Sequence, residues 1–213
     1  MQESQTMPVN DAEFGGATGD RNLAFAQGWN PSSRSARGGI SFPQQVKIRP
    51  GEILIRIGHS VDANGDAIPD WVNLTSPWWM TSGTFLEIGG RSEDSGTGIE
   101  QMVRMKLALT PDFGVADTLF WVRVKQTLRA WNGRGFPVME DPDPAVRESQ
   151  GVPLAWHGGY EISQNFIPGL RDFAAWKPSP IALGAFEVLP KMPLIAWGSL
   201  RAGGFAALPF PMP

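Results

Sequence analysis

The chain contains no cysteine among its 213 residues. Disulfide bonds, thiolate zinc sites and thiol nucleophiles are therefore excluded, although the compartment stays open because a cysteine-free protein can exist anywhere. Histidine is almost as scarce, since only His59 and His157 occur. The sequence also lacks the HExxH, GxSxG, GxGxxG and GxxxxGK[ST] motifs. These absences argue against a catalytic zinc site, a classical serine hydrolase and a nucleotide-binding P-loop.

Charged residues and long apolar runs are also few. Asp, Glu, Lys and Arg make up 18% of the chain, with a net charge of −3. The absence of a basic footprint disfavours nucleic acid as the main partner. No segment approaches the roughly 18 apolar residues of a membrane span, and MQESQTMPVNDAEF lacks a signal-peptide pattern. We therefore expect no membrane partner, and either a cytoplasmic location or export without a cleaved signal.

Glycine, proline and tryptophan are abundant, with 25, 19 and 9 copies. Many chain-breaking residues and few charges favour short strands joined by irregular loops over a helical bundle. The length suits one well-buried domain. We predict a strand-dominated α+β domain over residues 45–213, preceded by a polar, loosely ordered arm over residues 1–44.

Local patterns place the main elements along this domain. We predict a short helix after the aromatic strand PWWMTS, capped by Ser82 or Thr84, and place Met102 and Met105 of the next helix in the core. Residues 136–153, acidic and rich in proline, are predicted to form a surface loop. The predicted strands are 52–58, 77–82, 118–131, 160–167, 184–190 and 192–200, and the second helix is 97–109.

Three predicted strands carry polar residues in apolar surroundings. Arg56 lies within ILIRIG, where a guanidinium is costly unless it reaches a partner or a cleft. Thr81 and Ser82 end the aromatic strand, and Gln164 precedes a Pro-Gly turn in YEISQNFIPG. Taken singly, these residues suit an ion-paired strand arginine, a helix cap and a polar edge-strand residue.

The order of these segments resembles the mono-ADP-ribosyltransferase family, which has an Arg strand, a Ser-Thr-Ser strand and a Glu strand. The matching stretches are 53-ILIRIG-58, 78-WWMTSGTF-85 and 161-EISQNFIPG-169. The similarity spans roughly residues 50–190 and implies a two-sheet core. Gln164 occupies the position of the family's catalytic Glu, so that Glu161 is the remaining candidate for a nearby negative charge.

The resemblance implies an NAD-using transferase or NAD glycohydrolase, acting as a bacterial or phage toxin or effector. Its partners would be NAD, an unknown acceptor macromolecule and an immunity or antitoxin protein. The implied catalytic residues are Arg56, Ser82, Gln164 and Glu161, and the implied NAD-binding residues are Arg56, Gly58, His59, Trp78, Trp79 and Thr81. Arg56 would bind the pyrophosphate in bidentate fashion.

The alternative is a non-enzymatic structural or interaction protein, such as a phage-particle component or a secreted binding module. The low charge, the glycine- and proline-rich composition and the many tryptophans of this chain also suit this class. The two hypotheses differ in one geometric expectation. The enzyme requires Arg56 and Gln164 in a single cleft with Trp78 or Trp79 in its wall.

The segment 62-DANGDAIPDWVN-73 resembles the calcium-binding loops of dockerin and thrombospondin type 3 modules. Its oxygen ligands for a structural Ca²⁺ would be the side chains of Asp62, Asn64, Asp66 and Asp70 and the carbonyl of Ile68. Ala67 replaces the usual glycine, and Asn73 replaces the usual bidentate carboxylate. An Asx-rich surface turn without calcium is the alternative.

Overall fold

The computed structural model describes residues 7–15, 28–30, 35–37, 39–62, 64–109, 114–135, 138–140, 155–157 and 162–198. Strands outnumber helices in this part of the chain, and the predicted α+β class is confirmed. The helices are α1 (Asp11–Gly15), α2 (Asp70–Leu74), α3 (Ser82–Ser95), α4 (Ile99–Leu107) and α5 (Pro180–Ala185), with a 3₁₀ helix at Leu194–Ala196. The strands are β1 (Gly28–Asn30), β2 (Ser35–Arg37), β3 (Ile40–Ile48), β4 (Ile53–Gly58), β5 (Trp78–Thr81), β6 (Thr118–Val124), β7 (Leu128–Gly135), β8 (Val138–Glu140), β9 (Ala155–His157), β10 (Ser163–Phe166), β11 (Arg171–Asp172), β12 (Lys177–Pro178), β13 (Phe186–Val188) and β14 (Met192–Pro193).

A large antiparallel sheet organises the fold. Its strands follow the order β13-β6-β4-β5-β10-β7-β3, and β14 also pairs with β6. A four-stranded sheet, β1-β2-β8-β9, and the β11-β12 hairpin accompany it. The strand pair that carries the site is β4 and β5, in the middle of the large sheet, where Ile55 lies opposite Met80.

One face of the large sheet is covered by α3 and α4. Ile55, Ile57 and Trp121 of the sheet pack there with Phe85 and Ile88 of α3. The helix α3 starts where Thr81 accepts a hydrogen bond from the Thr84 backbone N–H at 3.2 Å, and it ends at Gly96 in the left-handed region. Thr81 is thus the helix cap, rather than the predicted Ser82 or Thr84. Thr81 can cap the helix because it is the last residue of β5 and directly precedes Ser82, the first helical residue.

The opposite face is covered by α5 and the segment after β10. Leu54 and Trp79 of the sheet form a second apolar cluster with Ile167, Leu170 and Phe186. Successive side chains of a strand point to opposite faces, so Leu54 and Arg56 share this face while Ile55 and Ile57 share the other. Arg56 is therefore the charged residue in a row that is otherwise apolar.

Three strand predictions are wrong in their extent. The run 184–190 begins inside α5, which continues to Ala185, and only Phe186–Val188 form a strand. The run 118–131 forms two strands, because the chain leaves β6 at Lys125 and re-enters the sheet as β7 next to β10 and β3. Contacts from distant segments fix this break, since Lys125 donates to the Ala185 carbonyl and Val9 donates to the Thr127 carbonyl. In residues 192–198, the part of the run 192–200 that the structure describes, Met192–Pro193 form the short β14 and the 3₁₀ helix follows.

The N-terminal segment predicted as a loose arm contributes described structure to the body of the protein. Asn10 is fully buried and binds the Arg129 backbone through its amide nitrogen, at 2.9 Å, and its amide oxygen, at 2.8 Å. Phe14 of α1 stacks on Trp131 at 4.8 Å. In the predicted loop 136–153, residues 138–140 form β8, and the rest lies outside the described residues.

Of the predicted core methionines, Met102 is buried, whereas Met105 is 48% exposed. The buried side of α4 contains Met102 and Val103. Met105 lies beside this buried side rather than on it, and it faces the solvent. None of the described helices is long and apolar enough to cross a membrane.

Two adjacent glycines of α3 offer a matched test of how this helix packs against Trp197. A Cβ at Gly89 would lie 2.8 Å from Trp197 Nε1, whereas nothing lies within 4 Å of a Cβ at Gly90. We expect Gly89→Ala to destabilise the protein by about 1–3 kcal/mol through overpacking. Gly90→Ala should stabilise it by about 0.5–1 kcal/mol, because alanine favours the helix. Urea unfolding of both variants measures the difference, and equal effects would contradict the described contact between α3 and Trp197.

Candidate functional site

Arg56 projects from β4 towards the start of β5. Its Nη1 donates a hydrogen bond to the Trp78 carbonyl at 2.9 Å, while its Nε is enclosed and has no hydrogen-bond partner. Within the described residues no carboxylate pairs with this guanidinium. Burial, and then the positive charge of Arg171, lower the pKa of Arg56 from its usual value to about 9. The group therefore stays charged at neutral pH without a counter-ion.

Arg171 brings a second cation to the same place. It begins the β11-β12 hairpin, and its Nε donates to Thr75 Oγ1 at 2.9 Å while its Nη2 donates to the Val72 carbonyl. Three aromatic rings surround its guanidinium, with centroids at 4.8 Å for Trp176, 5.6 Å for Trp71 and 5.8 Å for Phe173. Burial lowers the pKa of Arg171 from its usual value. It too lacks a described carboxylate partner.

His59 follows β4 and is held in place by hydrogen bonds with Asn73 and Ala116. Asn73 clamps its backbone, accepting from the His59 N–H at 3.1 Å and donating to the His59 carbonyl at 3.0 Å. The His59 Nδ1 accepts a hydrogen bond from the Ala116 N–H at 3.0 Å, which requires that nitrogen to be unprotonated. Burial, and then the charge of Arg56, lower the pKa of His59 below 6.5. The imidazole is therefore neutral at pH 7.

Gly58 allows this clamp to close. A side chain there would collide with the amide of Asn73 and the ring of Phe120. The resemblance to the transferase family implies an NAD-binding role for Gly58, whereas its described contacts are those of a close-packed backbone. The absence of a side chain lets α2 approach the end of β4 and brings His59 to the site.

These groups line one surface cleft with a volume of about 380 Å³. Its floor and walls come from β4, α2, the start of β5 and the β11-β12 hairpin. The described lining contains three groups that can carry positive charge and no carboxylate. The lining residues are Arg56, His59, Ile68, Val72, Asn73, Thr75, Ser76, Pro77, Arg171 and Phe173. Such a cleft favours anions, because its two guanidinium groups are partly removed from water and have no described carboxylate partner.

Gln164 does not share this cleft. Asn165 lies opposite Trp79. The antiparallel register that pairs Leu54 with Thr81 places Arg56 opposite Trp79 as well, so Asn165 and Arg56 are on one face of the sheet. Gln164, one residue earlier, points to the face that α3 and α4 cover, next to Gly135. The expectation of one cleft holding Arg56 and Gln164 is not met. Glu161, the other candidate, lies outside the described residues.

The remaining residues of the implied NAD site are also outside the cleft. Trp79 is 1% exposed and donates its indole N–H to the Ser76 carbonyl at 2.8 Å. Trp78 packs edge-on against Phe166 at 5.0 Å, and only its carbonyl reaches Arg56. Thr81 caps α3, and Ser82 is the first residue of that helix. Among the NAD-binding residues that the resemblance implies, Arg56 and His59 line the cleft.

The predicted calcium loop forms a small hairpin at the edge of the cleft. Val61 bridges to Ala67, and Asp62 Oδ1 accepts from the backbone N–H groups of Asn64, at 2.8 Å, and Asp66, at 3.0 Å. These are the contacts of an Asx turn. Asp70 forms an ion pair with Lys191 at 2.5 Å. The described residues contain no group of three or more acidic or histidine side chains placed to hold a metal. Calcium binding here stays a prediction.

Sequence reasoning found Arg56 and missed Arg171. The strand ILIRIG makes a buried arginine conspicuous, whereas RDFAAWKP shows an arginine in a short polar and aromatic stretch with no pattern of its own. The feature that could have indicated a site here is the pair of aromatic residues, Phe173 and Trp176, on either side of two alanines in a polar stretch. Only the fold reveals that this turn lies beside β4.

Comparisons with known proteins give little guidance. No protein-family model and no curated protein matches the sequence. A solved structure described as "Rhs1-CT in complex with cognate immunity protein RhsI1" aligns with 72% of this chain and 80% of that chain, at 15% identity and a TM-score of 0.38. A likeness this distant supports no conclusion about the fold or the function of the present chain.

The electrostatics of the cleft can be tested through His59. We expect its imidazole to titrate below 6.5, the ordinary value, in the wild-type protein. Arg56→Met should move that pKa upward, because it removes a neighbouring positive charge that opposes protonation. Proton NMR of the imidazole signals across pH measures the shift, and a His157→Gln variant assigns the two histidines.

The same pKa shift predicts how stability depends on pH. The folded state binds the His59 proton less readily than the unfolded state, so its contribution to stability is full above pH 6.5 and declines as the pH falls below it. His59→Asn should remove this decline. In the NMR titration described above, a His59 pKa that is unchanged or lower in Arg56→Met would show that the two groups do not interact.

Proposed function

We propose that the cleft around Arg56 and Arg171 binds a phosphate-bearing ligand. The observation that carries this proposal is the Arg56 guanidinium, which is half-buried between apolar residues, has no described carboxylate partner and leaves its enclosed Nε without a hydrogen bond. A phosphate offers several acceptor oxygens and up to two negative charges. It therefore suits a site with two guanidinium groups and no described carboxylate.

Energetics support a ligand over a purely structural arginine. A buried charge without a partner destabilises a protein, and apolar side chains of similar length avoid that cost. Arg56 makes one described hydrogen bond, to Trp78, which a smaller neutral donor would also provide. The nearby charge of Arg171 adds repulsion between the two groups. An anion between them would relieve both the desolvation and the repulsion.

NAD is the particular ligand that the sequence resemblance implies, with its pyrophosphate on Arg56. ADP-ribosyl transfer or NAD hydrolysis also needs negative charge near the oxocarbenium-like transition state. Gln164 points to the other face of the sheet, so Glu161 is the candidate that the transferase hypothesis retains. A toxin or effector role, the acceptor macromolecule and an immunity partner rest on the sequence resemblance as well.

A binding protein without catalysis is the second candidate function. One observation favours it: the described lining of the cleft contains no carboxylate, and its groups that could act as nucleophile or base are the imidazole of His59 and the hydroxyls of Thr75 and Ser76. Thr75 already engages Arg171 and the Trp71 carbonyl. Such a protein would bind the phosphorylated ligand and release it unchanged.

The phosphate site predicts a specific loss in Arg56→Met. We expect inorganic pyrophosphate, measured by isothermal titration calorimetry, to bind about 10- to 100-fold more weakly, because one charged hydrogen-bonding group is removed. The free energy of unfolding of the unliganded variant should stay equal or rise by up to about 2 kcal/mol, because the unpaired charge is gone. Loss of binding then cannot result from unfolding.

Two controls separate this site from general charge effects. Arg123→Met removes an equal charge from an exposed ion pair with Glu187 and should leave pyrophosphate binding unchanged. Gln164→Ala should also leave it unchanged, because Gln164 lies on the opposite face of the sheet. Equal losses in Arg56→Met and Arg123→Met would contradict the proposal, as would the absence of pyrophosphate binding to the wild type at millimolar concentration.

An NAD-cleavage assay distinguishes the enzyme from the binding protein. Nicotinamide release that disappears in Arg56→Met and in Glu161→Ala would assign the transferase or glycohydrolase activity. NAD binding that depends on Arg56, with no release of nicotinamide, would assign the binding protein. Activity that depends on Gln164 would contradict the arrangement of faces described above.

A further inference from the structure

The turn of the β11-β12 hairpin presents two large aromatic side chains beside the cleft. Phe173 is 64% exposed and Trp176 is 57% exposed, although both are large apolar residues. Phe173 also lines the cleft. Exposed aromatic residues that cluster next to a charged cleft are typical of ligand-binding surfaces, whereas scattered ones need no explanation.

This turn is held rigidly. Asp172 Oδ1 accepts from the backbone N–H groups of Ala174, at 3.1 Å, and Ala175, at 3.0 Å. Arg171 anchors the start of the hairpin to α2 through Val72 and Thr75. Trp176 adopts a φ of 48°, in the left-handed region that a bulky residue rarely occupies. The backbone that carries both aromatic side chains is thus held by hydrogen bonds and by its anchor on α2.

The rings leave a surface open for a planar group. Arg171 covers one side of Trp176, with its guanidinium carbon 4.8 Å from the ring centroid. Trp71 meets Trp176 edge-on at 6.3 Å, and Phe173 lies 6.4 Å away at an interplanar angle of 57°. No ring stacks face-to-face on Trp176 or Phe173 in these contacts. Each ring can therefore accept a flat aromatic system on its exposed side.

We propose that the ligand of this cleft is a nucleotide whose base stacks on the aromatic turn formed by Phe173 and Trp176 while its phosphates bind Arg56 and Arg171. This inference rests on the proposed phosphate site and adds the chemical class of the ligand. Arg171 joins the two parts, since it lines the cleft and also contacts both aromatic rings. Phosphate and base would thus bind next to each other, with Arg171 in contact with the phosphate and with the rings that carry the base.

The turn residues also determine how the base is recognised. Their side chains, in the sequence Phe-Ala-Ala-Trp, offer only the indole N–H for hydrogen bonding. Stacking on an aromatic ring tolerates different bases, because every base has a π-face, whereas discrimination needs hydrogen bonds to base edges. The site therefore accepts purine and pyrimidine nucleotides, with purines bound more tightly because their larger rings stack better.

The experiment compares ADP with inorganic pyrophosphate, which supplies the phosphates without the nucleoside. In the wild type we expect ADP to bind at least tenfold more tightly by isothermal titration calorimetry. Phe173→Leu keeps an apolar side chain in the cleft wall but removes the ring, so it should weaken ADP binding roughly tenfold and pyrophosphate binding much less, because only the contact of the ring with Arg171 is lost for pyrophosphate. Trp176→Leu should do the same, with a small additional loss for pyrophosphate because Arg171 loses its stacking partner.

Phe42→Leu is the matched control, because Phe42 is 80% exposed on β3, at the far edge of the large sheet. It should bind ADP as the wild type does. The nucleotide assignment is overturned if ADP binds no more tightly than pyrophosphate, if Phe173→Leu weakens both ligands equally, or if Phe42→Leu reproduces its effect. In the first case the aromatic turn serves another contact, such as one with a partner protein. Failure of pyrophosphate itself to bind would instead overturn the phosphate site.

Discussion

The guanidinium of Arg56 lies on the buried face of a central strand, and the segments around it are arranged to limit the cost of that charge. The Trp78 carbonyl accepts one of its protons, and the clamp between Asn73 and His59 fixes the wall of the cleft beside it. Gly58 lets that wall approach the strand. Yet no described carboxylate neutralises the charge, and Arg171 adds a second one. A fold that needed only a filled position here would be more stable with an apolar side chain.

The pleat of the sheet determines which chemistry this arginine can take part in. Side chains alternate between faces, so a difference of one position along β10 decides whether a residue reaches Arg56. Asn165 lies on the face of Arg56, and Gln164 lies on the other. The motif order that suggested a transferase is a property of the sequence alone and does not specify faces. The described geometry therefore supports binding at Arg56 more strongly than it supports the catalytic arrangement that the motifs imply.

The parts of the fold that follow local patterns were predictable. Alternation and flanking turn residues placed β4, β5 and β10, and the apolar periodicity with Pro111 placed α4. The break between β6 and β7 was not, because TLFWVRVKQTLRAW contains neither glycine nor proline, and contacts from Val9 and Ala185 fix its position. In the site, Arg56 was predictable from its apolar neighbours. Arg171 was not, because its role depends on the β11-β12 hairpin lying beside β4 in the folded protein. No local sequence pattern encodes the proximity of segments so far apart in the chain.

The location of the two arginines in different parts of the fold has a consequence for how the protein would respond to the proposed anion. Arg56 belongs to the central sheet, whereas Arg171 belongs to a hairpin anchored on α2 through Val72 and Thr75. In the free protein their charges repel, and the hydrogen bonds of Arg171 to α2 hold the hairpin in place against that repulsion. An anion between them converts that repulsion into two attractions and so favours the packed arrangement. Because it binds only the folded state, it also stabilises the whole protein by mass action. Ligand binding and the stability of this edge of the fold are therefore coupled through a single pair of charges.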